Sequence, residues 1–267
     1  MTNSVLARPA WTPLARYRHS LWLLTVRDLR VRYSTSALGY VWSILDPLVM
    51  SGIYFFVFTQ VFHRDVGEQP YIVFLLSALL PWMWFNGAVS DATKAFLREA
   101  KLVRSTKIPR TIWVVRLVLS KGIEFAASIP VLAIFVIATG ATVRWQAVYF
   151  LIAIAMQLAL TIGVGLIVAP LVVFFRDLER AVKLALRFLF YASPIIYGLR
   201  NLPEVGNLHF WFAFNPLAAI FSLYRAAFFP GQLDWFTLVV GASMSALLLI
   251  IGILVFKRSE RAVLKEI

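Results

Sequence analysis

The stretch from Gln69 to Ser90 runs between Glu68 and Asp91 without a charged residue. A bilayer core about 30 Å thick takes about 20 such residues wound into a helix, so the stretch reads as a membrane span. Phe125 to Val143, Trp145 to Phe175 and Trp235 to Phe256 are equally free of charge. Two further runs are less clean: Ala37 to Phe62 is interrupted only by Asp46, and Leu184 to Leu199 contains Arg187. The six runs predict six spans. Composition points the same way, with 61% of the 267 residues hydrophobic and 15% charged. Soluble domains carry about 45–50% and about 25%, so a soluble enzyme is excluded. The 22 Phe, 9 Trp and 9 Tyr exclude disorder and a collagen-like chain. With no cysteine there is no disulfide, thiolate metal site or cysteine nucleophile.

Basic residues near span ends stay on the cytoplasmic side. All but four of the 26 Lys and Arg fall before Ala37, between Lys94 and Lys121, between Arg176 and Arg187, or from Lys257 onward. The exceptions, Arg64, Arg144, Arg200 and Arg225, share the opposite face. Both termini are therefore expected in the cytoplasm. Residues 1–36 lack the uninterrupted apolar core of a signal peptide, so this segment is expected to be retained. The predicted organisation is a cytoplasmic amino-terminal segment (1–36), one membrane domain (37–256) and a cytoplasmic tail (257–267). The net charge of +13 follows from this topology. Its default partner is the anionic headgroups of membrane lipids, and no nucleic-acid partner is expected, since that needs a soluble basic surface.

Ahead of the first span, Trp22, Val26, Leu29 and Tyr33 recur at intervals of four, three and four. That is the apolar stripe of an amphipathic helix lying in the membrane interface, either as an anchor or as a collar around a pathway. Between the second and third spans, Lys94, Arg98, Lys101, Arg104, Lys107 and Arg110 repeat every three or four residues. Such a stripe either holds lipid phosphates or docks on an acidic groove of a soluble partner. Phe96, Leu97, Leu102, Val103 and Ile108, interleaved with it, would give a docked helix something to bury. Pro109 is expected to break the helix before the third span. Tyr191 to Asp234 holds four prolines yet remains rich in aromatic and aliphatic residues. Re-entrant or interfacial helices between spans five and six are expected there, forming either an outer gate or an aromatic belt.

Motifs for chemistry are missing. No Gly precedes a Lys, so the phosphate-cradling GxxxxGK[ST] loop is absent, as are HExxH and GxSxG. Ionisable candidates for a transport relay are few: Asp46, Glu124, and residues near span ends such as Asp91, Arg116, Lys121 and Arg187. Lys121 and Glu124, three apart on one helix, are expected to pair. The chain reads as a conduit whose energy comes from elsewhere, with no cofactor of its own.

The run RDLRVRYSTSALGYVWSILDPLVM, Arg27 to Met50, resembles the amino-terminal motif of ABC transporter permeases that export polysaccharides and teichoic acids. In that family an RD…RY…S.LG..W…P pattern joins an interfacial helix to the first span. The matching residues are Arg27, Asp28, Arg32, Tyr33, Ser36, Leu38, Gly39, Trp42 and Pro47, with Asp46 a conservative departure from the family's Glu. Lys107-Ile108-Pro109-Arg110, Phe175-Arg176-Asp177-Leu178, Ser193-Pro194-Ile195 and Phe214-Asn215-Pro216-Leu217 match later landmarks in order.

The resemblance implies an all-α integral membrane protein in the cytoplasmic membrane of a bacterium. It would work as a homodimer with two cytoplasmic ABC ATPase subunits, which bind the ATP and Mg. The substrate class it implies is a lipid-linked polysaccharide. It assigns ATPase coupling to the segment with Arg98, Lys101, Arg104 and Lys107 and to the turn at Arg176 and Asp177. A pyrophosphate head needs cations at the cytoplasmic mouth, for which Arg30, Arg32 and Arg187 are candidates beside Tyr33. A sugar chain needs aromatic faces. Tyr40, Trp42, Tyr54, Phe58, Trp82, Trp84, Phe188 and Tyr191 are the candidates. Two other readings are a multidrug or lipid-exporting permease, which would lack the first motif, and an intramembrane transferase on lipid-linked sugars. The latter would depend on His63, Asp65, Glu68 and His209.

Overall fold

A computed structural model of the chain describes residues 13–34, 39–57, 67–106, 108–198 and 208–267. Every regular element among them is helical: α1 (Pro13–Ser34), α2 (Trp42–Phe55), α3 (Tyr71–Ala92), α4 (Ala100–Ser105), α5 (Thr111–Thr139), α6 (Tyr149–Phe174), α7 (Leu178–Ala192), α8 (Leu208–Ala213), α9 (Pro216–Ala226) and α10 (Trp235–Glu266). Lys107 and Phe58 lie outside the described residues, as do His63, Asp65 and the side chains of Tyr33, Tyr40 and His209.

Four helices are long and apolar enough to cross a membrane, in Tyr71–Ala92, Thr111–Thr139, Trp145–Phe174 and Trp235–Glu266. The remaining two expected spans are shorter. α2 has 14 residues and continues in helical turns over 39–41 and 56–57; α7 has 15, which at about 1.5 Å per residue does not cover a bilayer core of about 30 Å by itself. α7 begins at Leu178, before the expected Leu184, and stops at Ala192 because Ser193 precedes Pro194 and is held extended. α5 starts at Thr111 rather than at Phe125. Hydropathy missed its first turns because they carry Arg116, Lys121 and Glu124, which are paired within the fold. α10 likewise runs past Phe256 to Glu266 without a break.

α3 is the centre of the bundle: every residue from Tyr71 to Trp82 is buried. It packs with α9, α5 and the inner end of α7 in one core, and a second core joins Phe96, Trp113, Leu166, Phe256 and Val263 at the basic end. α6 and α10 approach to backbone contact at Gly163 and Gly252, where a Cβ on Gly252 would fall on the Gly163 carbonyl. α5 ends on Gly140, whose φ of 67° gives the left-handed cap that stops a helix. Ile134, Ile137, Leu151, Ile250 and Leu254 remain exposed, a surface suited to lipid rather than water.

α1 departs from its predicted stripe. Leu29 is buried, but Trp22 is 61% exposed. The helix instead presents Thr25, Asp28, Leu29 and Arg32 to the bundle, because Asp28 and Arg32 have partners there. In the Tyr191 to Asp234 region two short helices, α8 and α9, meet at Asn215-Pro216. The Asn215 side chain accepts from the Leu217 amide at 3.0 Å and caps α9.

Candidate functional site

The basic end of the bundle is organised by ion pairs that cross between elements. Arg116, on α5, is 3% exposed and donates to Asp28 of α1 at 2.7 Å and to Glu99 at 3.0 Å. Arg27 of α1 reaches the same Glu99 oxygen at 2.5 Å. Burial raises the Asp28 carboxyl above its ordinary range against the pull of Arg116 and Arg27. Burial acts on Glu99 in the same sense, but there the hydrogen bonds and charges of Arg27 and Arg116 outweigh it and hold the carboxyl below its usual value. One turn along α1, Arg32 donates to Asp91 of α3 at 2.6 Å and to Glu124 of α5 at 2.9 Å. Glu124 also takes the Lys121 ammonium at 2.7 Å, the predicted pairing. The RD and R of the first motif thus fasten α1 to α3, α5 and the turn after α3.

That turn, residues 93–99, leads into α4, the only α-helical part of the predicted coupling segment among the described residues. Arg98, Lys101 and Arg104 are exposed there. Phe96 and Val103 are buried in the chain's own second core, Phe96 stacking on Phe256 at 6.0 Å between ring centroids. The interleaved apolar residues therefore hold the segment to the bundle, and the surface offered outward is cationic, with Leu97 its exposed apolar residue. Arg176 and Asp177 are exposed in the turn before α7. Sequence spacing missed the link between the two turns: Glu179 takes Lys94 at 2.9 Å as well as Lys183 at 2.6 Å.

The candidate aromatics divide in two. Trp84 is buried, stacked on Phe125, and its indole N–H donates to the Val118 carbonyl at 2.9 Å. Trp82 is buried against Phe85 and Phe190, and Tyr54 stacks on Phe190 at 5.6 Å. Trp42, Phe188 and Tyr191 are open, at 44%, 70% and 64% exposure. On α7, Arg180, Leu184, Arg187, Phe188 and Tyr191 fall at three- and four-residue spacing on one exposed face. Cations lie toward its start and rings toward its end. Arg30 is exposed at the start of the last turn of α1.

At the other end of the bundle Arg225 was not singled out as functional by its sequence. It is 2% exposed and donates to the carbonyls of Phe74, Pro194, Ile195 and Tyr197. Its guanidinium also lies over the Phe74 ring at 3.6 Å. Asn215 adds a bond to the Ser193 hydroxyl at 2.8 Å. The Ser193-Pro194-Ile195 and Phe214-Asn215-Pro216-Leu217 landmarks, separated in sequence, are thereby one structure. The signal was an arginine inside an otherwise apolar segment.

A family model described as ABC-2 type transporter matches residues 19–229. The O-antigen export system permease protein RfbA of Klebsiella pneumoniae is 34% identical over 238 residues, 88% of this chain and 90% of that protein. The protein of the same name from Myxococcus xanthus is 30% identical over 237 residues, again 88% and 90%. The polysialic acid transport protein KpsM of Escherichia coli is 26% identical over 253 residues, 90% of this chain and 93% of that protein. Each likeness runs through nearly the whole bundle.

Proposed function

This chain belongs to the ABC-2 type transporter family, and from that premise we propose that it is the membrane subunit of an exporter moving a lipid-linked polysaccharide across a bacterial cytoplasmic membrane. The observation that carries the substrate class is the near end-to-end likeness to proteins named for O-antigen export, at 34% and 30% identity. A capsule-type glycan is the other member of the class, by the likeness to a polysialic acid transport protein.

In this reading α2 and α7 complete six spans, with both termini cytoplasmic, and α8 and α9 are the re-entrant pair at the outer side. The subunit works as a homodimer, in which the exposed face of α7 lines the path between copies. An arginine at its middle argues against lipid on that face. Two ABC ATPase subunits supply the energy and hold the ATP and Mg. They dock on Arg98, Lys101, Arg104 and Lys107 and on the Arg176-Asp177 turn, and the Lys94–Glu179 pair makes those two contacts move together.

The test is purification from native membranes in mild detergent, followed by identification of what accompanies the chain. A stoichiometric ATPase, with hydrolysis absent from the isolated subunit, is the expected result. A solitary chain that remains active refutes the reading. Replacing Lys101, Arg104 and Lys107 by Glu should leave insertion intact and uncouple hydrolysis from transport, and normal export by that variant would remove the docking assignment.

A further inference from the structure

At the Arg225 end of the bundle, α5, α6 and the two residues that follow α9 enclose a cavity of about 360 Å³ in which no lining side chain is polar. Ala133, Val136 and Ile137 form its α5 wall, Ala147 and Phe150 stand opposite, and Ala227 and Phe228 make the floor. That floor is fixed by its neighbours. The Phe150 ring meets those of Tyr224 and Phe228 edge-on, at 4.9 and 6.3 Å between centroids, and the Arg144 amide donates to the Ala227 carbonyl at 2.9 Å. The space exists because alanines stand at three of the lining positions, where larger side chains would fill it.

What such a cavity holds follows from where it opens. Ile137, part of its α5 wall, is 81% exposed, and Ile134 and Leu151 are exposed on the same two helices, so it opens sideways on the surface that meets acyl chains. α7 is not among its walls, so it lies off the path between copies, and it has no side-chain donor or acceptor for a sugar. An apolar cavity of this kind does not hold water either. Val143 closes one end, and the residues directly after it change character. Arg144 is exposed and has no carboxylate partner among the described residues. Trp145 is exposed too, with Tyr149 edge-on to it at 5.6 Å. Exposed Trp and Tyr at the end of a span sit at the headgroup level, and an arginine there meets phosphate oxygens. An apolar slot below a cation at headgroup depth is complementary to a phospholipid, chain and phosphate together.

We infer that this cavity is the site of a resident phospholipid, with one acyl chain between Ala133 and Phe228 and the phosphate on Arg144. In the topology proposed above it belongs to the outer leaflet, but the site itself stands without the exporter reading. A chain lying there fills the space against Ala227 and Phe228, directly after the helix whose Arg225 gathers the carbonyls of Pro194, Ile195 and Tyr197. The lipid is thus a buttress for α9 from the membrane side.

The full chain, purified in detergent and stripped of lipid, is titrated with dioleoyl phosphatidylglycerol and with dioleoylglycerol, which has the same chains and no phosphate. Native mass spectrometry counts the lipid retained per chain. Because the basic end also attracts anionic lipid, the site is read as the component that filling the cavity removes. Ala133→Phe and Val143→Trp, both at exposed positions, should each retain one phosphatidylglycerol fewer than wild type. At that site wild type should hold phosphatidylglycerol about tenfold or more tighter than dioleoylglycerol, the worth of a charge-assisted contact. Arg144→Gln should bring the two lipids level and leave dioleoylglycerol unchanged. Since Arg144→Gln leaves the cavity walls intact, it decides the matter if a filled variant fails to fold. Equal retention by all four proteins overturns the site. Loss in Ala133→Phe with no effect of Arg144→Gln overturns the phosphate contact and with it the choice of a phospholipid. Displacement of the retained lipid by an equal concentration of polyprenyl phosphate gives the cavity to a prenyl chain instead, and altered self-association of Ala133→Phe with unchanged lipid retention gives it to a second copy of the chain. Either result overturns the inference and leaves the exporter reading standing.

Discussion

The Arg225 guanidinium donates to the Ile195 carbonyl at 2.6 Å, joining residues thirty positions apart in the apolar interior. Helix α7 has ended at Ala192, so the carbonyls of Pro194, Ile195 and Tyr197 have no helical partners, and an apolar interior gives them no water. Arg225 supplies donors to all three and to Phe74 of α3. A lysine keeps the charge but lacks the planar fork. Arg225→Lys should therefore cost about 2–3 kcal/mol, as for charge-assisted bonds lost in a buried site. Arg225→Met should cost at least as much. Thermal unfolding in detergent measures both. A midpoint equal to wild type for Arg225→Met would show that the carbonyls are satisfied without it.

How far the sequence reveals this molecule depends on whether a residue's partners are local. Spans free of charge, such as Gln69 to Ser90, were legible because burial in lipid demands nothing beyond length and hydropathy. The Lys121–Glu124 pair was legible from its i, i+3 spacing. Arg116 and Arg225 were not. Arg116 finds partners 88 and 17 positions away and Arg225 partners 28 to 151 positions away, and spacing carries no information at that range. The same limit explains α1: its apolar periodicity marks a helix, but which side faces the bundle is decided by Asp28 and Arg32 meeting residues of α3 and α5. Among the candidate aromatics, type alone did not separate buried Trp82 and Trp84 from exposed Phe188 and Tyr191.

Arg116 faces two carboxylates on different elements, and its removal leaves both in a largely enclosed place. Arg116→Met should destabilise by about 3–5 kcal/mol, the range for breaking a buried ion pair by deleting one partner. In an Asp28→Asn background the same substitution should be less damaging, because one of the stranded charges is gone. A double-mutant cycle on unfolding midpoints reads this directly, with a coupling energy of about 1 kcal/mol or more expected between contacting residues. Additive effects would mean that the 2.7 Å contact does not contribute.

The same network sets a pH dependence of known sign. Glu99 has a carboxyl pKa below its ordinary value, so its stabilising contribution is complete above about pH 4.3, the unfolded value, and is lost as pH falls through the lower folded value. Asp28 is raised, so the folded state holds its proton more firmly and stability from this group increases as pH falls. Glu99→Gln should therefore be less stable than wild type at neutral pH, with the gap narrowing below about pH 4. For Asp28→Asn the trend with pH should be opposite, the variant faring better relative to wild type at neutral pH than at acidic pH. Unfolding midpoints between pH 3 and 7, on the order of five points, separate the two. A gap for Glu99→Gln that stays constant with pH would contradict the assignment.

Packing between α6 and α10 offers a sharper structural test. A Cβ on Gly163 would lie 2.6 Å from both the Leu248 carbonyl oxygen and the Leu249 nitrogen, which are backbone atoms unable to rotate away. Gly163→Ala should push the helices apart and cost about 1–3 kcal/mol, as overpacked cores do. Gly52, in the last turn of α2, has nothing within 4 Å of the same position. Gly52→Ala should instead be neutral or gain up to about 1 kcal/mol from helix propensity. If both substitutions behave alike, the close approach of α6 and α10 is wrong.

The division of aromatics into buried and open sets separates stability from transport. Trp82 packs against Phe190 and Phe85 inside the bundle, so Trp82→Ala should cost about 3–5 kcal/mol and reduce export only through the amount of folded protein. Phe188 and Tyr191 are open on α7, and surface truncations there should change stability by no more than about 0.5 kcal/mol. If that face lines a glycan path, Phe188→Ala with Tyr191→Ala should slow export several-fold, since a sugar loses its stacking surface, while assembly with the ATPase is unaffected. Measuring export per molecule of folded protein, with the abundance of each variant determined alongside, keeps the two effects apart. Full export by the double variant would assign the face to lipid or to a subunit contact that does not touch the glycan.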